Sequence, residues 1–420
     1  MSQNPGVRGG TGFANIFARA PFFQSSSIEN GPNFLYQFGL ISDPNGELIL
    51  KTKGTFPFIT GFTNHGIRAA NASINDQFSQ NNQIAMHTTR PLWEGATLQL
   101  DWKVGWTYNE SRTGTTDSLG YLLPGSITRM ITGSTDRSYI SLPPVLMFKF
   151  FNTTLENVND KYTAMMNTDP NRNPGATLSQ AFEQGMEAFP WISKILGPLA
   201  PRVNWSIHWD GIENISFLKS FASRISLDHA YTSDYKRNWQ RTSTIDPVTL
   251  INTSTDEQTT SQTVMYGFSP LIGVNITFKE LIKGSLSATF RYGTTTSFDL
   301  LPSSQSVTES STSDISITGT YSRQGFEIPF FGVSLMNNID ITMNYGYSHN
   351  TSVSYDFTNF QKDGTPLNGL DRTTIEPRIR YTLSERVTAS VYYRYTKITG
   401  VITPGSTTNE GGADFHVLIQ

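Results

Sequence analysis

Apolar and polar residues alternate along several segments of the chain, most clearly between Val387 and Tyr395. In this segment the odd positions hold Val, Ala or Tyr, and the even positions hold Thr, Ser, Tyr and Arg. Because successive side chains of a β-strand point to opposite faces, this period of two predicts a strand with one apolar and one wet face. The same period appears at 97–108, 285–292 and 339–347, and none of these segments is a long apolar run.

Strand-like segments dominate the chain from Thr97 onward. Before Thr97, the segment Phe34–Phe56 has the pattern of a hairpin around the turn Asp43–Gly46, residues 1–33 favour a loop, and 60–96 is ambiguous. The predicted strands are 97–108, 203–210, 222–238, 263–278, 285–299, 313–322, 332–347, 374–383, 386–398 and 413–420.

One block, 152–202, interrupts the strands, because its residues lack the period of two and include more helix formers. Within it, Leu155–Met166 and Leu178–Ile195 are predicted helices, and the turn-rich connector Asp169–Gly175 joins them. The chain is thereby divided into four parts: a loop-rich β segment (1–96), barrel strands (97–151), a helical insertion (152–202) and C-terminal barrel strands (203–420).

The second predicted helix has a candidate cap and an apolar side. Thr177 or Ser179 is expected to cap its first turn, because a hydroxyl oxygen there can accept a free backbone N–H. The apolar residues recur at steps of three and four, which places them on one side of the helix. They are Phe182, Met186, Phe189 and Ile192.

The connections between the predicted strands alternate in length. The long ones are expected at 241–262, 301–311, 350–372 and 400–412, the intermediate one at 323–331, and the short ones at 279–284 and 383–386. Outer-membrane barrels have short periplasmic turns and longer extracellular loops. This parity predicts that the C-terminus lies in the periplasm and the helical block outside the cell, although soluble sandwiches also vary their loops.

Composition supports a barrel and excludes several other classes. Hydrophobic residues make up 37% of the chain and charged residues only 15%, and Ser, Thr, Asn and Gly fill the difference. The net charge of −3 provides no basic field for nucleic acid. The absence of cysteine excludes disulfides, cysteine zinc sites and thiol nucleophiles. The pattern therefore predicts an all-β fold, an antiparallel transmembrane β-barrel segment with a small helical insertion.

The N-terminal residues contain no visible export signal, because no charged region followed by an apolar region occurs there. No stretch approaches the roughly 18 apolar residues of a transmembrane helix. An outer-membrane protein needs an export signal. We therefore expect either a piece of a longer protein or an error in the membrane interpretation.

The chemistry of an enzyme or metal site is not apparent in the sequence. The six histidines lack metal-ligand spacing, and no His-Glu-x-x-His motif occurs. Asp228 and His229 are adjacent, but neighbours on a strand point to opposite faces, so a catalytic couple is not expected. Residues Gly9–Gly12 lack the strand and helix of a phosphate loop, and Pro174 stands where a calcium loop needs glycine. We predict no enzyme activity, no catalytic, cofactor-binding or metal site, and no cofactor.

Five strings of residues resemble, in order, the C-terminal part of the SprA/Sov family, the outer-membrane translocon of the type IX secretion system. The most specific parts are Leu-Ile-Gly-Val-Asn within Tyr266–Lys279 and His-Ala-Tyr within Ser226–Tyr235. In chain order the five strings are Gly12–Pro21 (GFANIFARAP), Trp205–Glu213 (WSIHWDGIE), Ser226–Tyr235 (SLDHAYTSDY), Tyr266–Lys279 (YGFSPLIGVNITFK) and Gln324–Pro329 (QGFEIP).

The resemblance implies a protein-conducting barrel. Members of the family are far longer and form one very large single-chain barrel, so this chain would supply the closing part of the wall, as a C-terminal fragment or with its neighbouring part encoded separately. The implied partners are outer-membrane lipid, secreted cargo with C-terminal sorting domains, a barrel-shaped shuttle protein and a plug protein. In that family some cargo proteins are adhesins for gliding motility, and the translocon is linked to the export of surface proteins.

Eight polar residues on the wet faces of the predicted strands are candidates to line the pore, although ordinary solvent-facing positions have the same pattern. Two other functions stay open: an unrelated outer-membrane porin or receptor barrel, and a soluble or surface all-β binding module that uses its Trp and Tyr residues. The candidates are Asp101, Lys103, Arg291, Asp340, Asn344, Arg378, Arg380 and Arg394.

Overall fold

A computed structural model describes 71–119, 123, 128–138, 154–186, 203–245, 252–254, 257–279, 283–326, 337–384, 386–400 and 404–418. The hairpin expected at 34–56 and the loop expected at 1–33 lie outside these ranges. Within them the chain forms thirteen strands and two α-helices, which confirms an all-β antiparallel fold with a small helical insertion.

The elements are numbered in chain order. The helices are α1 (Thr154–Thr168) and α2 (Pro174–Gly185). The strands are β1 (Ser73–Trp93), β2 (Ala96–Thr115), β3 (Thr128–Arg137), β4 (Asn204–Asp210), β5 (Ala222–Ile245), β6 (Asn252–Ser254), β7 (Gln258–Phe278), β8 (Ser285–Leu301), β9 (Ser306–Phe326), β10 (Asn337–Asp356), β11 (Thr365–Ser384), β12 (Val387–Gly400) and β13 (Ser406–Val417).

All strands belong to one antiparallel sheet with the order β1-β2-β3-β5-β7-β8-β9-β10-β11-β12-β13. Strand β4 pairs with β2 and β5, and the short β6 pairs with β5. We call the end of the sheet with the β1–β2 and β11–β12 turns the turn end, and the opposite end the loop end. Because β1 and β2 form a hairpin, the segments 1–96 and 97–151 contribute to the same sheet.

Strands β3 and β4 occupy one position in the sheet. Both pair antiparallel with β2, β3 beside Val104–Thr113 and β4 beside Ala96–Asp101, so they run in the same direction, one after the other. Residues 138–203, which include both helices, are therefore inserted in the middle of a strand. The period of two cannot distinguish such a mid-strand insertion from a loop between complete strands. The expectation that this block lies outside the cell stays a prediction.

The strands extend much further than the alternation predicted. Strand β9 begins at Ser306, β11 at Thr365 and β13 at Ser406, so the connections that precede β9 and β11 at the loop end are only 302–305 and 357–364. The long loops expected at 301–311, 350–372 and 400–412 are therefore mostly strand, as is much of 241–262. The ambiguous segment 60–96 contains β1. These segments were missed because both of their faces are polar, which removes the alternation.

Helix α2 begins with a different cap from the one predicted. The side chain of Asn173 accepts a hydrogen bond from the Ala176 backbone N–H at 3.0 Å, and Pro174 takes the first helical position, where its missing N–H costs nothing. Thr177 and Ser179 lie inside the helix and are buried. Neither described helix is long and apolar enough to cross a membrane.

The two helices pack on one face of the sheet at the loop end. Gly185 of α2 lies directly against Val158 of α1, where a Cβ atom would come within 2.6 Å of the valine side chain. The Tyr162 hydroxyl donates to the Gln305 side chain at 3.0 Å. The buried cluster at this contact contains Leu155, Val158, Leu178, Phe182 and Met186 from the helices, and Tyr231, Tyr235, Val264, Tyr266, Phe268, Phe298, Leu300 and Val307 from the sheet.

A surface ion pair adds a second connection between the helices and the loop end. The Lys362 ammonium lies 2.8 Å from the Glu156 carboxylate of α1. This hydrogen bond raises the pKa of Lys362 above its usual value.

Replacing Phe182 with Ala is expected to lower the free energy of unfolding by about 3–5 kcal/mol, because a fully buried aromatic side chain leaves a cavity between the helices and the sheet. Chemical denaturation followed by tryptophan fluorescence measures this change. Gln184→Ala, at an exposed position of the same helix, is the matched control. An equal effect of both substitutions would contradict the packing of α2 on the sheet.

Candidate functional site

The register of the strands sorts their side chains onto two faces of very different chemistry. One continuous row of paired residues crosses six strands and contains only apolar or aromatic side chains. The row consists of Leu286, Tyr321, Ile341, Ile379, Val391 and Ala413. We call the face that carries this row the apolar face, and the other the polar face.

The apolar residues on this face form a band near the turn end. In β10 the band runs from Ile339 to Tyr347, which is about 26 Å along the strand at about 3.3 Å per residue. Several members are exposed, including Val391 at 58% and Phe415 at 73%. The apolar band, as defined here, comprises Leu286, Ala288, Phe290, Tyr292, Ile315, Ile317, Tyr321, Ile339, Ile341, Met343, Tyr345, Tyr347, Ile375, Pro377, Ile379, Tyr381, Ala389, Val391, Tyr393, Tyr395, Ala413, Phe415 and Val417.

The band crosses the strands at an angle. In β8 the row described above contains Leu286, which is the limit of the band toward the turn end. The limit toward the loop end is Tyr292, six residues further along β8. In β13 the residue of the same row is Ala413, which is instead the limit of the band toward the loop end. From β8 to β13, over five steps, the loop-end limit of the band drifts by six residues and the turn-end limit by four, which corresponds to a tilt of about 30–40°, given about 3.3 Å per residue and about 4.8 Å between strands. Strands of closed barrels tilt by about 35–45° against the barrel axis.

Tyrosines mark both limits of the band. Tyr292, Tyr347 and Tyr395 lie toward the loop end, and Tyr321 and Tyr381 lie toward the turn end. A tyrosine combines an apolar ring with a polar hydroxyl, so it suits the boundary between an apolar and an aqueous environment.

Beyond the band, the apolar face becomes a protein core toward the loop end. The helices cover it over β5, β7, β8 and β9. On β2 and β3 the carboxylate of Glu110 is fully buried, where it pairs with Arg129 and accepts from the Tyr108 hydroxyl at 2.9 Å. Arg129 compensates the buried carboxylate, because an unpaired charge at this position would be strongly destabilising.

The polar face has the opposite composition along the whole length of its strands. In β9 every residue of this face from Ser306 to Ser322 is Ser or Thr except Asp314. Neighbouring strands connect to these hydroxyls: Thr318 donates to Asn344 at 3.0 Å, and Ser322 donates to Asp340 at 2.6 Å. The polar-face residues of β9 are Ser306, Thr308, Ser310, Thr312, Asp314, Ser316, Thr318, Thr320 and Ser322.

All eight sequence-predicted candidates lie on the polar face, as the pairing register shows, but they do not form one cluster. Asp101 hydrogen-bonds His87, and Lys103 forms ion pairs with Asp234 at 2.9 Å and Asp136 at 3.4 Å. Asp340 lies directly opposite Arg380 across the β10–β11 pair. The remaining candidates are Arg291, Asn344, Arg378 and Arg394.

Two acidic residues that the sequence did not single out connect the arginines. Glu376 accepts hydrogen bonds from Arg378 at 3.2 Å and from Arg394 at 2.8 Å, and Arg394 also reaches Glu410 at 3.3 Å. Positive and negative side chains therefore alternate across β11, β12 and β13, which limits the net electric field of this face.

His208 forms a further polar cluster that the sequence did not reveal. Its ring nitrogens lie 2.6 Å from Asp228 and 3.0 Å from Asp210, and the Asn275 amide donates to Asp228 at 3.1 Å. His208 and Asp228 are paired across β4 and β5, a register that the sequence alone does not specify. Within the described part of the chain, no group of acidic and histidine side chains is arranged to hold a metal ion.

His229 lies on the opposite face from Asp228, as strand geometry predicts. Its Nδ1 donates to the Leu271 carbonyl oxygen at 2.7 Å, and its Nε2 accepts from the Trp205 indole N–H at 3.2 Å. Trp205 stacks on Tyr231 with ring centroids 4.2 Å apart. These residues belong to three of the strings that carry the family resemblance, so the strings meet in adjacent strands at an irregular part of the β5–β7 pairing.

Side chains complete the sheet where β3 ends and β4 has not begun. The Ser138 hydroxyl accepts from the Lys103 backbone N–H at 3.0 Å, and the Ser138 N–H donates to the Lys103 carbonyl. The Asn204 amide oxygen accepts from the Ser233 N–H at 2.9 Å, and its NH2 donates to the Ser233 carbonyl at 3.3 Å. The interrupted strand thus leaves the backbone groups of Lys103 and Ser233 hydrogen-bonded.

No family model matches the chain, and no curated protein matches it. Among solved structures it is similar to in-vitro folded OmpT, an outer-membrane protein of Vibrio cholerae, at 8% identity and a TM-score of 0.20, over 83% of this chain and 99% of that one. A loop L8 deletion mutant of the same protein has 9% identity and a TM-score of 0.19, over 83% of this chain and 100% of that one. Superpositions this weak support no inference about fold or function.

Replacing Asn204 with Ala is expected to lower the free energy of unfolding by about 1–3 kcal/mol, because the Ser233 backbone groups lose their side-chain partners. Hydrogen exchange of the peptide that contains Ser233 should become faster. Ser206→Ala, which removes only a 3.4 Å hydrogen bond on the same strand, serves as the control. Unchanged exchange in the Asn204 variant would show that this amide does not complete the sheet.

Proposed function

We propose that this chain forms part of the wall of an outer-membrane β-barrel, with the apolar band against lipid and the polar face lining an aqueous passage. The passage conducts exported polypeptides, as the resemblance to the SprA/Sov family implies.

The observation that carries the proposal is the tilted apolar band opposite a face of hydroxyl and paired charged residues. A membrane barrel needs an apolar band about 25 Å tall, limited by aromatic residues, and strands tilted by about 35–45°. The band of this chain is about 26 Å long along β10, which at a tilt of about 30–40° gives a height of about 20–23 Å, and its tilt overlaps the range of membrane barrels. A soluble sheet buries its apolar side chains against a second layer, whereas Met343, Ile379 and Val391 are exposed.

The chemistry of the polar face fits a passage for polypeptides better than a selective pore. Ser and Thr hydroxyls hold water and give an unfolded chain few apolar surfaces to which it could adhere. Arg394 lies between Glu376 and Glu410, so its charge is balanced. A channel that selects ions by charge uses rings of one sign.

The family resemblance supports the finer part of the proposal. The strings Trp205–Glu213, Ser226–Tyr235 and Tyr266–Lys279 meet in β4, β5 and β7, where the wall contains the helical insertion and an irregular pairing. In this proposal the cargo carries C-terminal sorting domains, some of it serves gliding motility, and the shuttle and plug proteins act on the same barrel.

Cysteines placed at the adjacent positions 317 and 318 distinguish the two faces, because the natural chain contains no cysteine. In outer-membrane preparations, a membrane-impermeant maleimide should modify Thr318→Cys at least about tenfold faster than Ile317→Cys, since lipid excludes the reagent and disfavours the thiolate. Mass spectrometry of the intact chain measures the modified fraction over time.

The same pair of variants provides its own control. In the chain without a bilayer, Ile317 is 41% exposed, whereas Thr318 is half-buried and therefore less exposed. If the sheet were water-soluble, the cysteine at position 317 should thus react faster than the cysteine at position 318. In denaturant both cysteines should react at equal rates. Faster modification at position 317 in the native preparation would rule out lipid on the apolar face.

Photo-crosslinking tests whether polypeptides pass the polar face. A benzophenone amino acid at position 344 should crosslink an arrested exported protein that carries a C-terminal sorting domain, whereas the same residue at position 343 should not. Asn344 and Met343 are neighbours on β10 that lie on opposite faces. Immunoblotting detects the product. If position 344 yields no product although position 318 is open to water, the barrel is a small-solute channel instead.

A further inference from the structure

The connection between β4 and β5 folds back onto the apolar face at the turn end. It consists of two short 3₁₀ helices, Ile212–Asn214 and Leu218–Ser220. Ile212 is buried against the side chains of Ile225 and Leu227. The Glu213 carboxylate accepts from the Ile225 backbone N–H at 2.8 Å, which fixes the connection to the first residues of β5.

Two large apolar side chains of this connection are exposed on the surface of the protein. Phe217 is 77% exposed and Ile215 is 50% exposed. The Phe217 ring contacts Phe221, with centroids 6.0 Å apart, and Phe221 in turn contacts Phe278, with centroids 6.3 Å apart. The apolar tip is therefore held in place by a row of aromatic rings.

Other aromatic and basic residues lie at the same end of the sheet. Trp93, which is 51% exposed, packs edge-on against Trp209 with centroids 5.3 Å apart. Lys219 is exposed beside the phenylalanines, and the Lys279 ammonium donates to the Lys219 carbonyl oxygen. Tryptophan rings and lysines together are typical of the membrane–water interface, where rings meet the acyl boundary and ammonium groups meet phosphates.

We infer that residues 211–221, together with Trp93, form an interfacial anchor that inserts Phe217 and Ile215 among phospholipids at the turn-end rim of the wall. The occupant is lipid because the segment continues the apolar face without a break, through Ile225, Leu227 and Val274. Lys219 and Lys279 supply the charge complementary to lipid phosphates. The inference rests on the proposed membrane location and adds a specific phospholipid contact to it.

A fluorescent label tests the anchor in the full chain. Phe217→Cys is modified with the polarity-sensitive dye NBD, and the protein is reconstituted into vesicles of phosphatidylcholine and phosphatidylglycerol. We expect blue-shifted emission, and quenching by shallow spin-labelled lipids that is at least about twofold stronger than for NBD at Ser216→Cys, the adjacent polar position. Water-like emission at position 217, with quenching no stronger than at 216, overturns the anchor.

A third label separates this outcome from a failure of the membrane location. NBD at Ile317→Cys lies in the middle of the apolar band and should be quenched by lipids whether or not the anchor exists. Quenching at 317 but not at 217 overturns the anchor and leaves the proposed wall intact. Absence of quenching at both positions overturns the two together.

Discussion

Hydrogen bonding between neighbouring strands is the constraint on which the rest of the structure depends. A strand of about 20 residues carries a backbone donor and acceptor at almost every position, and antiparallel neighbours satisfy them. The pairing continues even where a strand is interrupted, because Ser138 and Asn204 replace the missing backbone partners of Lys103 and Ser233. Since backbone hydrogen bonds hold the strands together, the side chains are not needed for strand pairing. The residue types on each face can therefore suit the environment of that face.

The surroundings of the apolar face change along each strand. Strand β8 begins with Leu286 and Phe290 in the exposed band, continues through Thr294 and Thr296, and ends with Phe298 and Leu300 under the helices. The helical insertion leaves the sheet between β3 and β4 and covers the apolar face beyond the band. Protein thus covers the apolar side chains at the loop end, whereas no second layer in the described part of the chain covers those of the band.

The polar face contains mainly hydroxyl and charged side chains, in contrast to the apolar face. Its hydroxyls hydrogen-bond across the strands, as Thr318 does to Asn344, and several of its charges are paired by opposite charges, as Arg394 is by Glu376 and Glu410. A wall of this kind attracts neither sign of charge strongly and offers little apolar surface. These are the properties that a passage for polypeptides of many sequences requires.

The sequence by itself determined the fold class, the presence of two helices and the face on which each polar candidate lies, from Asp101 on β2 to Arg394 on β12. The alternation of apolar and polar residues is a local property of each strand, and it occurs wherever one face of the strand is apolar and the other is polar. Only the tertiary structure decided how far the strands extend, because Ser306–Ser313 and Thr365–Thr374 are largely polar on both faces and therefore resemble loops. It also decided that the helices interrupt a strand, and that His208 meets Asp228 and Arg394 meets Glu376, since these contacts depend on the register between strands that are distant in the chain.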